Sequence, residues 1–111
     1  SMEIHHCGGM IVATAKGGSH ESRIATSLVS SGADASIVTK RLEDGNIRIT
    51  ARAPWRSIES GLDLGAIMTS LATAKGGQGG GHAGAAGWMG NANRGEAIAC
   101  LLGEIGIQAR G

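Results

Sequence analysis

The sequence predicts one α/β domain in which a mixed β-sheet is flanked by helices, with the element order βαββαβα. Three observations support this prediction. The chain has 111 residues, which is the length of a single domain. Short apolar runs that suit strands alternate with segments whose apolar residues recur at helical spacing. Phe and Tyr are absent, so the core must be built from Ile, Leu, Val, Met and Ala, which suits closely packed layers.

The first strand and the first helix occupy the N-terminal third of the chain. Residues 10–15 form a short apolar run that ends at Gly17 and predicts a strand. Ser19 is a suitable cap for a helix that would end at Gly32. Apolar residues at helical spacing define its inner face: Ile24, Ala25, Leu28 and Val29.

A β-hairpin is predicted next. Residues 35–42 are rich in β-branched side chains, and residues 47–52 alternate between apolar and polar. The turn between them, residues 43–46, contains Asp-Gly, which is a strong hairpin signal. In the second strand, Ile47 and Ile49 share one face, and the polar side chains share the other: Arg48, Thr50 and Arg52.

The second half of the chain predicts two further helices. Pro54 ends the hairpin strand, and residues 55–61 are expected to be irregular. Asp63 is a plausible N-cap for a helix that stops at Gly76. After a strand at residues 85–89, residues 93–96 have the spacing of a capping box and begin the last helix. That helix is expected to end at Gly106, with an edge strand at residues 107–109.

Residues 76–87 are the most informative segment, because they contain seven glycines, three alanines, one glutamine and one histidine. Glycine loses more backbone entropy on folding than any other residue, so this composition predicts a loop. The N–H groups of a glycine turn can form an anion-binding concavity. We therefore expect a phosphate or nucleotide site at Gly79, Gly80 and Gly81, with His82 as its polar side chain. The alternative is a purely structural connection.

Two familiar phosphate motifs are excluded by context. The pattern Gly79-x-Gly81-x-x-Gly84 has the spacing of a dinucleotide fingerprint, but that fingerprint follows a strand and opens a helix. Here a predicted helix precedes the glycines and a predicted strand follows them. No Lys-Ser or Lys-Thr pair follows the glycines either, so the segment is not a P-loop.

The remaining polar and aromatic residues carry weaker signals. Arg48 is expected to be solvated surface, and the residues at 20–22 are expected to serve the start of the first helix. The residues at 5–7, His-His-Cys, offer metal ligands, but adjacent side chains point in different directions and no partner cluster accompanies them. Trp55 and Trp88 are either stacking platforms for bases or parts of the core.

Charge and residue content exclude several classes of function. The formal net charge of +1 argues against electrostatic capture of long duplexes, which needs many phosphate contacts. A small anionic ligand, or a strand held mainly by another domain, stays open. Two cysteines without disulfide or zinc spacing suggest free thiols in a reducing cytoplasm, and no membrane partner is expected. The sequence contains no catalytic constellation and no metal site that we can identify, so binding without cleavage is expected.

Residues 79–87, Gly-Gly-Gly-His-Ala-Gly-Ala-Ala-Gly, closely resemble the Gly-Gly-Gly-His-x-x-Ala-Ala-Gly signature of the DHH-associated domain. This domain is the C-terminal half of DHH-family phosphoesterases, which include RecJ-like exonucleases, oligoribonucleases and cyclic-dinucleotide phosphodiesterases. The resemblance extends over roughly residues 10–106. Residues 49–53 are similar to the family's strand that ends in Ser-x-Arg-Ser, with Arg52 at the arginine and with Thr50 and Ala53 in place of the serines.

The resemblance implies a division of labour between two domains. The DHH-associated domain would grip the phosphate or terminal nucleotide of a single-stranded substrate with Gly79, Gly80, Gly81, His82 and Arg52. A separate N-terminal DHH domain, absent from this chain, would hold the Mn²⁺ or Mg²⁺ ions and hydrolyse the substrate. Residues 1–8 are then an expression remnant and tail, and residues 9–111 are the substrate-binding domain. The alternatives are a free-standing nucleotide or nucleic-acid binding module and an RNA-contacting domain like that of alanyl-tRNA synthetases.

Overall fold

Six strands and four helices follow one another along residues 2–111, the part of the chain that this computed structural model describes. The strands are β1 (Met2–Cys7), β2 (Met10–Lys16), β3 (Ala35–Arg41), β4 (Ile47–Arg52), β5 (Gln78–His82) and β6 (Ala85–Gly90). The helices are α1 (Glu21–Ser30), α2 (Trp55–Glu59), α3 (Leu64–Lys75) and α4 (Arg94–Arg110).

The strands form one mixed sheet in the order β1-β2-β3-β4-β6-β5. Strands β2 and β3 are parallel, because α1 connects them across the sheet, and every other neighbouring pair is antiparallel. The predicted α/β class and the mixed sheet are confirmed.

The helices leave the two faces of the sheet unequally covered. Helices α3 and α4 pack on one face, where the core contains Ile37, Ile49, Met68, Trp88 and Leu101. Helix α1 lies on the opposite face against β3 and β4, and the Ser36 hydroxyl of β3 donates to the Ala25 carbonyl of α1 at 2.7 Å. Beyond α1, the opposite face of β4, β6 and β5 carries no helix.

The predicted caps of the two later helices are confirmed. The Asp63 carboxylate accepts a hydrogen bond from the Ala66 N–H at 3.1 Å, and Asn93 Oδ1 accepts one from the Glu96 N–H at 3.0 Å. Each bond satisfies an N–H that the helix itself leaves without a partner. In contrast, α1 begins after His20 and has no side-chain cap, so the predicted cap at Ser19 is wrong.

The N-terminal segment differs from the sequence prediction, which assigned residues 1–8 to a remnant and a tail. Ser1 lies outside the described residues, and Met2–Cys7 form the edge strand β1. The turn to β2 consists of Gly8 and Gly9, with φ of 57° and 87°. Left-handed conformations at both positions suit a tight hairpin turn, and glycine adopts them without strain.

Three further elements were predicted wrongly. Residues 55–59, expected to be irregular, form the short helix α2. The helix α4 continues through Gly106 to Arg110, so the predicted edge strand at residues 107–109 is absent from the described chain. Gly106 is buried against the β1–β2 turn, where a Cβ on Gly8 would come within 2.8 Å of the Gly106 carbonyl oxygen. Packing therefore keeps this glycine helical, although glycine often ends a helix.

Candidate functional site

The glycine-rich segment is a β-hairpin rather than a loop. Residues 78–82 form β5, which pairs with β6 through the two-residue turn at Ala83 and Gly84. The turn is fixed on both sides, because the Leu64 N–H donates to the Ala83 carbonyl at 2.9 Å and the Ala53 N–H donates to the Gly84 carbonyl at 3.0 Å. The segment is therefore an edge strand whose turn is fixed by hydrogen bonds, and not the anion-binding loop that the sequence predicted.

The strand pairing brings the predicted residues onto the uncovered part of the sheet, which we name the open face. Residues directly opposite one another across neighbouring strands share a side of the sheet. The register of β4, β6 and β5 therefore places three rows on the open face: Arg52–Ala85–His82, Thr50–Gly87–Gly80 and Arg48–Met89–Gln78.

A groove of about 520 Å³ lies along these rows. The backbone forms the floor of the groove, because Ala85, Gly87 and Gly80 have small side chains or none. Strands are spaced about 4.8 Å apart, so the Cα atoms of Arg52 and His82 are separated by about 10 Å. Arg52 lines the groove, whereas His82 is exposed at the end of its row, just outside the lining residues.

Arg52 keeps an unneutralised charge at the groove. One guanidinium nitrogen donates to the Ala51 carbonyl at 2.8 Å and another to the Ser22 hydroxyl at 3.2 Å. Both acceptors are neutral, and no ion pair within residues 2–111 involves Arg52. The guanidinium is therefore oriented by the protein while its charge is available to an anion.

Arg48 has a different environment on the same strand face. Its Nε and a terminal nitrogen donate to Glu21 Oε1 at 2.9 and 2.5 Å, and Glu21 is almost fully buried. The two hydrogen bonds from Arg48 lower the pKa of the Glu21 carboxyl below its usual value. The expectation that Arg48 is merely solvated surface is therefore wrong: it joins β4 to α1.

The three predicted glycines do not have equivalent positions. Gly79 faces α3, and a Cβ there would collide with the Met68 carbonyl oxygen. Gly81 has φ of 133°, and a Cβ there would lie 2.7 Å from the Ala85 carbonyl oxygen. A Cβ on Gly80 would meet only the Thr69 hydroxyl, at 3.9 Å. Gly79 thus permits close packing of α3 on β5, whereas Gly81 permits the close approach of β6 with a backbone conformation that suits glycine. Gly80 lines the groove of the open face.

The other residues considered from sequence are separated from this groove or buried. Trp88 is a core residue whose indole N–H donates to the Gly76 carbonyl at 2.9 Å, while Trp55 is 69% exposed. His5 contacts the Thr14 hydroxyl at 3.0 Å. Across residues 2–111 there is no group of three or more His, Cys, Asp or Glu side chains that could hold a metal ion. No helix in the same range is long and apolar enough to cross a membrane.

Several groove residues were missed by the sequence analysis as members of the site. Thr50 could have been included, because it shares the alternating polar face of β4 with Arg52. Gln78 and Met89 could not, since their place opposite Arg48 depends on recognising β5 as a strand and on its register with β6.

Comparison with known proteins identifies the family of this chain. Residues 8–105 match the family model of the DHHA1 domain. The chain is 36% identical over 87 residues to the uncharacterised protein MJ0988 of Methanocaldococcus jannaschii. That match covers 78% of this chain and 26% of the relative, so the chain spans about a quarter of the relative's length.

Solved structures show the same fold. The C-Ala domain of Aquifex aeolicus alanyl-tRNA synthetase superposes with a TM-score of 0.76 at 20% identity, covering 99% of this chain and all of that one. The pGpG-specific phosphodiesterase PggH of Vibrio cholerae gives 0.63 at 14% identity, covering 96% of this chain and 36% of that one. With nearly its whole length matched by the family model, the chain belongs to the DHHA1 domain family.

Proposed function

We propose that the open face binds the phosphate of a nucleotide or of the end of a single nucleic-acid strand. The observation that carries this proposal is the row Arg52–Ala85–His82. It places an unpaired guanidinium and an exposed imidazole on either side of a floor without large side chains. Hydrogen bonds from a guanidinium to phosphate are charge-assisted and are among the stronger ones in proteins.

The rest of the groove suits the nucleoside part of such a ligand. Gly80 and Gly87 leave room for a planar group to approach the sheet closely. Met89, 42% exposed, offers an apolar contact, and Gln78 beside it carries an amide that can pair with a base edge. Phosphate at the Arg52 end and base at the Met89 end is the orientation that this arrangement favours.

The chain would serve as the substrate-binding domain of a DHH-family phosphoesterase of the RecJ-like exonuclease or oligoribonuclease class. Hydrolysis would belong to a DHH domain elsewhere in a longer protein. Mn²⁺ or Mg²⁺ held by that domain would activate the attacking water and stabilise the phosphoryl charge. Two observations support this division: the chain spans only a quarter of MJ0988, and no metal-ligand cluster occurs in residues 2–111.

A second candidate is RNA contact of the kind expected for a synthetase accessory domain. The likeness to the C-Ala domain favours it, because that structure is covered completely. The two candidates predict different ligands. A substrate-binding domain should recognise a terminal phosphate on a short strand, whereas an RNA-contacting domain should prefer folded RNA and be indifferent to the terminal phosphate.

The proposal is tested by titrating a 5′-mononucleotide into the chain while following its amide NMR signals. Gly80, Ala85 and Gly87 should shift first. Arg52→Ala and His82→Ala should each weaken binding by about tenfold or more, since a charge-assisted hydrogen bond contributes about 1.5–3 kcal/mol. The control variants Arg110→Ala and His6→Ala remove one arginine and one histidine from exposed positions away from the open face, and they should change binding little.

Thermal melts of the same variants separate a binding role from a structural one. Arg52 donates only to Ser22 and Ala51, and His82 is exposed, so both variants should keep a midpoint near that of the wild type. Unchanged affinity in a folded Arg52→Ala variant would contradict the proposal. If the affinity for a short strand does not depend on its terminal phosphate, and folded RNA binds more tightly, the second candidate is favoured.

A further inference from the structure

A second cavity lies at the opposite end of the sheet from Arg52. It has a volume of about 450 Å³ and opens where β2 and β3 end and β4 begins. Residues 47 and 52 are about 16 Å apart along β4, given the rise of a strand, so this cavity is separate from the row Arg52–Ala85–His82. Ligands of α/β sheets commonly bind beyond the carboxyl ends of parallel strands, and β2 and β3 are the parallel pair.

Four cationic residues line this cavity, which we name the basic pocket: Lys16, Lys40, Arg41 and Arg94. Lys16 and Arg41 lie on the side of the sheet that carries α4, whereas Lys40 faces the other side. None of the four takes part in an ion pair within the described chain. Arg94 Nε donates to the Thr39 hydroxyl at 2.6 Å, which fixes its guanidinium in the wall. Four like charges around one cavity repel one another, and a bound anion would relieve that repulsion.

The acidic groups near the basic pocket do not neutralise it. Glu21 is engaged by Arg48, and Lys40 contributes only a weaker attraction to its carboxylate. Glu43 and Asp44 stand on the β3–β4 turn, in an adjoining cleft that Lys40 and Arg41 also line, without an ion pair to either. The excess of positive charge therefore persists at the pocket.

The basic pocket is connected to the open face through one pair of residues. Lys40 lies directly opposite Arg48 in the pairing of β3 with β4, so both face the same side of the sheet. Arg48 in turn begins the row that ends at Gln78. Polar and basic side chains thus continue from the groove to Lys40, and the other three cations lie around the end of the sheet.

We propose that the basic pocket binds a second phosphate group, supplied by the backbone of a nucleic-acid strand that extends beyond the nucleotide on the open face. The phosphate site itself stands on a different surface and on different residues from the proposed function, and only its connection to the strand rests on that function. A free polyphosphate has the same chemistry, so the test includes both ligands.

The experiment follows amide NMR signals of the chain during titration with inorganic pyrophosphate, with a 5′-mononucleotide and with a single-stranded deoxythymidine oligonucleotide. Pyrophosphate should shift the amides of Lys16, Gly17, Arg41 and Arg94. The double variant Lys16→Gln/Arg41→Gln should weaken pyrophosphate binding by about tenfold or more. The control Lys75→Gln/Arg110→Gln removes one lysine and one arginine from exposed helix ends and should have less than about a twofold effect.

The oligonucleotide distinguishes the two sources of phosphate. If the strand backbone occupies the pocket, Lys16→Gln/Arg41→Gln should weaken oligonucleotide binding and reduce its salt dependence by about one or two units of slope, while mononucleotide binding is unchanged. If this double variant loses pyrophosphate binding but binds the oligonucleotide as before, the pocket binds a free anion and the proposal that a nucleic-acid strand occupies it is refuted. Absence of pyrophosphate shifts at these residues, or equal losses in both double variants, would overturn the basic pocket altogether. Failure of the mononucleotide to shift Gly80 would count against the proposed function alone.

Discussion

Arg48 and Arg52 lie on one strand face but have different charge environments. Both arginines alternate with buried residues on β4 and point to the open face. Arg48 forms an ion pair with Glu21. Arg52 donates only to neutral acceptors, so its charge stays unneutralised at the groove. A carboxylate in place of the Ser22 hydroxyl would neutralise Arg52 in the way that Glu21 neutralises Arg48. The difference between two residues of α1 thus determines which arginine is free.

The glycines allow a prediction that separates packing from binding. Gly79→Ala should destabilise the fold by about 1–3 kcal/mol, the usual range for an overpacked site, because the new methyl meets the Met68 carbonyl. Gly80→Ala should leave stability unchanged or raise it by up to about 1 kcal/mol, since its methyl has room and the unfolded chain loses entropy. Urea unfolding measures both.

Binding by the two glycine variants should follow the opposite order. Gly80 lines the groove, so an added methyl in Gly80→Ala should weaken mononucleotide binding, whereas the folded fraction of Gly79→Ala should bind normally. Equal stability of the two variants would show that α3 does not pack against β5 as closely as described.

At the scale of whole elements, the hairpin β5–β6 explains what the sequence could and could not predict. Glycine has a low strand propensity and no side chain from which to read alternation. Strand β5 forms nevertheless, because β6 pairs with it and α3 packs against it. The sequence offers Arg52, Gly80 and His82 as candidates by residue type, but the strand that aligns them with β4 is a tertiary effect.

Strand β1 was missed for a different reason, because a signal for it is present in the sequence. Gly8-Gly9 separates two runs by two residues, which is the spacing of a tight hairpin. In the run before it, Met2 and Ile4 alternate with polar residues, but a polar residue at position 6 interrupts the alternation after only four residues. Met2 and Ile4 are about half exposed on this edge strand. The apolar pattern of the sequence therefore identified the central strands β2, β3 and β4 better than the edge strands β1 and β5.

The ion pair between α1 and β4 gives a prediction about pH. The pKa of Glu21 is lower in the folded chain than its ordinary value of 4.5, so the unfolded chain binds more protons between the two values. Stability from this pair is complete above about pH 4.5 and decreases as pH falls through the folded pKa. Glu21→Gln should remove that part of the pH dependence.

Glu21→Gln should also reduce the free energy of unfolding near neutral pH by about 1.5–3 kcal/mol, the range for hydrogen bonds to a charged group. The control is Glu59→Gln, at an exposed residue without an ion pair among residues 2–111. Urea unfolding across an acidic pH series measures both variants. An unchanged acid slope in Glu21→Gln would show that other carboxyl groups dominate the pH dependence.

On the scale of the whole molecule, the Arg52 end of the open face and the basic pocket lie at opposite ends of the central strands. The open face is bounded by α1 on one side and by the free edge of β5 on the other. The helices α3 and α4 close the other face, and α4 ends against α3, where the Gln108 side chain contacts the backbone of Asp63 at 2.8 and 3.3 Å. A partner domain that completes a cleft over the groove would therefore approach from the open face.

The proposed division between binding and hydrolysis gives the last prediction, which concerns the chain by itself. It should not hydrolyse bis-p-nitrophenyl phosphate or single-stranded oligonucleotides, with or without added Mn²⁺, because no metal-ligand cluster exists among residues 2–111 to activate a water. Added Mn²⁺ should also leave the thermal midpoint unchanged, since a ligand raises stability only when it binds the folded state. Preparations of Arg52→Ala/His82→Ala provide the control, because a contaminating phosphodiesterase would be equally active in them. Turnover that requires Mn²⁺ and disappears in the double variant would place the chemistry in this chain and contradict the division into two domains.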